Sequence, residues 1–526
     1  MKITPSRRTV GICLATALTA MSLHAQEQKN DWAMTGADPG QSGWQKDELG
    51  LTPESVPANF KFLWKMQLGR PGKGTPTFSE PLLIGRVING QGFKDIVFMS
   101  SADTLYAVDS ELGHLIWTKQ FTPTTAAPPC DVSHLNILME PPVVINFNAR
   151  RKRAPGTPRP VEPPPTEGIH RKLGVSPGGG YFGFKGIYVL TPDGMLHEQI
   201  VTTGADFAPP VPFLPNANAS PYGINFADKT ISTVTAHDCG GAANGLWSIS
   251  LSSGDYHVSS TDTKTVHPLN LTGPVSMADG TALLVTGPAE PSEASNSDAH
   301  TASVVAIARD MKVDDWFTPQ GGMASYQFVS PITITTGKKQ IIVAPGKDGT
   351  IVLLDADSLG GPDHHTPLFE TPALTAPGAK HTWDGFASWT DKAGTTWVYA
   401  SVSAPVALSN SAVKSNGSVT HGAVVAFKLD ASEDKPTLQP VWISPDMVNP
   451  APPRIANGVV VALAGGDKSS SAVLHVLDAS TGADLYSSKS EIPTYTEYSG
   501  VSIGDSHAFF TDHNNVLYSF GIPLEH

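Results

Sequence analysis

The hydrophobic residues of this chain fall in short runs that turn residues interrupt, and within the runs apolar and small or polar positions alternate. That period of two predicts half-buried β-strands. Residues 105–117 show the unit: a strand through Ala107, turn chemistry at Asp109 and Gly113, and a second strand ending on Trp117. Asp supplies a side-chain acceptor for its own turn, and Gly accepts positive φ. Residues 476–486 repeat the pattern with Asp478, Gly482 and Tyr486. Looser copies occur at residues 246–254, at 351–357, from Val304 on to Trp316, and from Val424 on to Trp442.

A proline stands just ahead of an apolar run before most copies, at Pro81, Pro142, Pro221, Pro274, Pro331 and Pro453. Self-similarity at roughly 45–60 residues, with four strand-like segments per copy, predicts an all-β propeller of four-stranded antiparallel blades. Blade starts at Pro81, Pro142, Pro221, Pro274, Pro331, Asp384, Pro453 and Gly500 give an eight-bladed ring. Residues 60–68 form a strand with no blade before it, and the C-terminus offers three strands without an outer fourth. The N-terminal strand is therefore expected to complete the last blade and close the ring, which leaves no exposed sheet edge. Residues 26–59 are expected as an irregular arm lying against the 60–526 propeller.

The Ala107, Asp109, Gly113 and Trp117 hairpin resembles the repeat of the quinoprotein (PQQ-type) propellers. Residues 31–38 (Asp-Trp-Ala-Met-Thr-Gly-Ala-Asp), then Leu51-Thr52-Pro53 and Phe62-Leu63-Trp64, are similar to the opening of PQQ-dependent alcohol dehydrogenases. The resemblance covers nearly the whole chain after residue 25. It implies fold strongly and activity weakly, because the repeat carries packing.

Residues 1–25 read as a signal peptide, with Lys2, Arg7 and Arg8 before an apolar stretch over 10–23 and cleavage after Ser22 or Ala25. A Sec-type signal is the reading, with the twin-arginine pattern that Ser6-Arg7-Arg8 touches as the alternative. A periplasmic or secreted protein is expected, without a membrane span. Export leaves Cys130 and Cys239 as a disulfide candidate. The net charge of −13 argues against nucleic acid as a partner. Residues 148–180, rich in Arg and Pro, cannot hold a ladder and are expected as a mobile insertion in the second blade. Residues 289–301 and 409–420 are expected as shorter insertions.

Sites on propellers usually lie on the face where chain enters each inner strand and where the second and third strands join. The axial-face candidates so identified are Glu80, Glu140, Tyr222, Gln327, His381, Trp383 with Asp384, Arg454 and Tyr498, with His237 and Asn244 from the joining loops. The resemblance implies a cofactor floor at Trp383, and Arg454 as a second cofactor contact if PQQ binds with Ca²⁺. Asp384 or Glu140 would then supply the proton-accepting carboxylate. Against this, the family's metal-binding Asn falls on Ala404, and there are no adjacent cysteines. Asp363, His364 and His365 offer metal-ligand types in one loop, but adjacent side chains point apart. No metal site is expected from the residues themselves. The sequence therefore reads as a monomeric binding scaffold for a protein or small molecule on its axial face. The alternative is a PQQ-dependent dehydrogenase of an alcohol or sugar.

Overall fold

The computed structural model describes residues 31–69, 78–89, 92–122, 134–139, 186–215, 221–236, 242–251, 257–261, 273–287, 300–320, 329–337, 339–346, 349–376, 383–408, 412–431, 435–496 and 500–523. They form eight sheets, six of four strands and two of five, each built on the four-stranded antiparallel order of a propeller blade. Around the axis the inner strands are Leu82–Asn89, Asn136–Met139, Pro221–Ala227, Val275–Ser276, Ile332–Thr336, Trp383–Thr390, Arg454–Ala456 and Ser502–Gly504, numbered below as blades one to eight. Helix among the described residues is confined to Ser55–Asn59 and a 3₁₀ turn at Gly361–Asp363.

The ring closes as the strand count requires. Lys61–Gln67 pairs antiparallel with Val516–Gly521, from Lys61 opposite Gly521 to Gln67 opposite Val516. The second blade differs from expectation. Its inner strand is Asn136–Met139, which pairs with Gly186–Leu190, so this sheet already has four strands without the Pro142 segment. A proline before an apolar run is too common in a chain this rich in both to mark every blade. The 148–180 insertion and residues 1–25 lie outside the described residues, as does most of 289–301. Part of the 409–420 insertion is ordered as a fifth strand, Lys414–Ser415, which runs parallel to Trp442–Ile443.

The recurring hairpin holds neighbouring blades together. Asp109 Oδ1 accepts from the backbone N–H groups of Glu111 and Leu112, and Gly113 has φ +65°. A Cβ on Gly113 would stand 2.5 Å from the Trp64 ring, so the indole of blade eight lies flat on the turn of blade one. Trp64 Nε1 also donates to Ser110 O at 2.9 Å. Trp117 repeats the lock on blade two through Val201 O (3.0 Å), and Trp442 repeats it on blade seven through Ala479 O (3.0 Å). At blade five the glycine is replaced by His364, whose φ is +56° and whose ring stacks on Trp316 at 3.7 Å between centroids. The apolar core lies between adjacent blades, as where Val234 and Leu246 of blade three meet Leu284 and Val305 of blade four.

The arm does more than lie against the propeller. Trp32 exchanges backbone hydrogen bonds with Leu83 of blade one (2.8 and 3.0 Å), and Ala33 O accepts from Met139 N of blade two. Pro39 O takes Asn225 Nδ2 of blade three and Ser276 N of blade four. Gly40 O, Ser42 O and Gly43 O accept from Thr333, Ser388 and Ile455 of blades five, six and seven. Glu48 Oε2 accepts from Ser506 N of blade eight at 2.7 Å. The arm thus circles the inside of the ring and bonds to the blades in their own order.

Candidate functional site

Two groups of sequence-predicted residues are brought together on the axial face, and they behave differently. The first is Glu80 with Arg454. Arg454 opens the inner strand of blade seven, and Glu80 stands just ahead of that of blade one. Their side chains meet at 2.6 Å and are only 5 % and 7 % exposed. Glu80 Oε1 also accepts from Trp32 Nε1 (2.8 Å) and Gly36 N (3.2 Å). Arg454 Nε donates to Val501 O at 2.9 Å, and its guanidinium lies 5.5 Å from the Trp32 ring centroid. Every strong group in this cluster is engaged, so it is a buried clasp joining the arm to blades seven, eight and one.

The second is Asp384. Trp383 pairs with Val402 and Gly385 with Ser401, so Asp384 is the extra residue of a β-bulge in the inner strand of blade six. Bulges re-aim side chains. Ser403 Oγ donates to Asp384 Oδ2 at 2.7 Å. Burial pushes the carboxyl up to about 7, against the opposing pull of the Ser403 hydroxyl and backbone N–H. The residue keeps some solvent contact, and Gly385 beside it packs on Pro452, two residues ahead of Arg454. A carboxyl pushed toward neutrality at the start of an inner strand can take up and give back a proton.

Tyr222 lies inside the inner strand of blade three, with its backbone opposite Val234, and Asn244 immediately precedes the strand Gly245–Ser250. Glu140, His237, Gln327, His381, Tyr498 and both disulfide candidates, Cys130 and Cys239, lie outside the described residues, as does the Trp383 side chain. The Asp363 loop forms no metal site. His364 is turned onto Trp316 and Asp315 (2.9 Å), and His365 Nδ1 lies 2.7 Å from Thr318 O. Among the described residues no group of three His, Cys, Asp or Glu side chains is placed to hold a metal ion.

Sequence reasoning missed two features of the axial face. Ser403 came into view only as a place where the family's ligand sequence is absent, and its role becomes visible once the bulge sets it against Asp384. His421 and Asp446 form the other. His421 Nδ1 lies 2.7 Å from Asp446 Oδ2, and Thr420 bonds the same carboxylate. Burial would raise Asp446, but the His421 and Thr420 hydrogen bonds outweigh it and hold the carboxyl well below its usual range. The pair is separated by the two outer strands of blade six, which hides it from any motif search.

No protein-family model matches the sequence, and no curated protein does. Solved structures do. A quinohemoprotein alcohol dehydrogenase from Comamonas testosteroni superposes with a TM-score of 0.54 over 94% of this chain and 81% of its own, at 13% identity. The chain shares the propeller fold of that structure. The quinohemoprotein alcohol dehydrogenase ADH IIG from Pseudomonas putida HK5 gives the same TM-score and coverage at 10% identity. Identities this low establish the architecture and leave chemistry to the residues.

The described candidates do not by themselves make the donor set that PQQ and Ca²⁺ require. Arg454 is committed to Glu80, and Ala404, where the sequence resemblance would put a metal-binding Asn, is a buried methyl group. Neither presents a polar atom to a cofactor. Asp384 alone among the described candidates keeps the character that the resemblance implies.

Proposed function

We propose that the axial mouth beside Asp384 takes a small hydroxylated molecule, an alcohol or a sugar, and that Asp384 accepts its hydroxyl proton. The observation that carries this reading is the bulged carboxylate with its pKa near 7, held in place by Ser403. The fold shared with quinohemoprotein alcohol dehydrogenases supports an alcohol or sugar as the molecule bound, and its oxidation would also need a two-electron acceptor, such as the PQQ added in the test below, to take the hydride. Ser403 Oγ donates to Oδ2 and so fixes the orientation in which the carboxyl meets its proton. No step is assigned to a quinone, because the described residues do not seat one.

The test is dye reduction by the purified protein over a panel of alcohols and sugars, with and without added PQQ and Ca²⁺, alongside calorimetric binding. Turnover or binding that rises with pH through about 7, and that Asp384→Asn abolishes, is the expected result. Failure of every alcohol and sugar to bind or react overturns the reading. A second reading is favoured by the committed Arg454: a scaffold that binds through the same face without turnover. Saturable, Asp384-dependent binding with no dye reduction would select it. We further propose that the protein works outside the cytoplasm, on the strength of the basic and apolar residues at 1–25. Fractionation and N-terminal sequencing of the mature chain test that placement.

A further inference from the structure

A cleft of about 600 Å³ opens on the opposite end of the ring, between the arm and the turns that join the first and second strands of blades three to six. It is distinct from the axial mouth. Asp384 and Trp389 stand five residues apart on one inner strand, which separates them by about 17 Å. The volume falls within the range of small-molecule sites.

Its lining combines features that a purely structural groove does not need. Trp389 and Trp44 both line it, each packed against the core cluster between blades six and seven yet still partly exposed. An indole held by the core and open to a polar cleft offers a flat apolar platform. Around it are the hydroxyls of Thr335, Thr390 and Thr396 and the amide of Gln340, which sits directly opposite Thr335 in blade five. The formal charges of the lining sum to zero, Asp38 and Asp228 against Lys46 and Lys229. Lys46 pairs with Asp38 at 3.3 Å and lies 5.4 Å from the Trp44 ring centroid, and Asp228 pairs with Arg309 just outside the lining. Both carboxylates of the lining are already engaged by cations, so a cationic ligand would gain little there. One that alternates apolar CH faces with hydroxyls would match both the indole and the polar rim.

We propose that this cleft binds a short neutral saccharide, with its ring stacked on Trp389 and its hydroxyls met by Thr335, Gln340 and the Asp38–Lys46 pair. This inference is independent of the axial reading. The arm supplies Trp44, Asp38 and Lys46, so the site exists only when the arm is seated.

Maltotriose, cellotriose and triacetylchitotriose are titrated against the full folded chain, following tryptophan fluorescence and saturation-transfer NMR. At least one is expected to bind saturably at about 1 mM or tighter. Trp389→Ala should weaken that binding about tenfold or more, a loss of roughly 1.4 kcal/mol. Because Trp389 also touches the core, Thr335→Trp provides a second variant, which fills the cleft from an exposed position and should abolish binding with an unchanged melting temperature. Absence of binding by all three sugars, or binding that survives both variants, overturns the proposal. Binding that depends on Asp384 and not on Trp389 would place the sugar at the axial mouth, and overturns it too.

Discussion

Asp505 occupies the tight turn between the first two strands of blade eight, with φ +51°, and its carboxyl is turned toward other acids. Burial, then the charge and hydrogen bond of Asp95, then Glu48 and Glu111, push it up to about 8. An unfolded Asp titrates near 4. Between those two values the folded state binds the extra proton, so stability declines as pH rises across the window and levels off above it. Asp505→Asn removes the cost while keeping a residue that tolerates left-handed backbone. Its melting temperature should exceed that of the native chain at pH 8.5 and differ little near pH 4, as a pH series of thermal melts would show. Gly113 makes a contrasting case. Gly113→Ala puts a methyl group into the Trp64 ring at positive φ, and should cost roughly 1–3 kcal/mol in denaturant unfolding.

At the scale of the element, the Trp-on-Gly lock and the Glu80 clasp do similar work with different visibility. The hairpin that carries the lock was legible in the sequence, because the spacing of Asp109, Gly113 and Trp117 is local, whereas the contact itself was not, since Gly113 meets Trp64 of the neighbouring blade. Asp478 and Gly482 were legible for the same reason. The clasp was not, since Trp32, Glu80 and Arg454 are remote in sequence and only ring closure brings them together. Reading Glu80 and Arg454 as separate axial groups was reasonable for each alone, and their mutual burial turns both into structure. Asp384 was placed correctly on an inner strand, but its bulge depends on pairing register, which no local pattern records. Truncating one half of the clasp tests its worth. Glu80→Ala leaves Arg454 buried without its counter-charge and should lose about 3–5 kcal/mol. The double variant Glu80→Ala/Arg454→Met should recover part of that loss, as a double-mutant cycle in urea would measure.

For the whole molecule, two closures are superimposed: the strand Lys61–Gln67 completes blade eight, and residues 32–48 bond to every blade in turn. A chain beginning at residue 60 keeps the first closure and loses the second. It should still show β-sheet circular dichroism, but melt at a clearly lower temperature and release the buried Arg454 from its Trp32 cover. Eight blades and one arm also have a consequence for descent. Propellers change size by gaining or losing a blade, and most rings can absorb that by adjusting the angle between neighbours. Here the arm acts as a measuring tape cut to eight marks. A seven- or nine-bladed descendant would find its tape mismatched from the altered blade onward, so duplication within this ring would have to be matched by a simultaneous change in the arm.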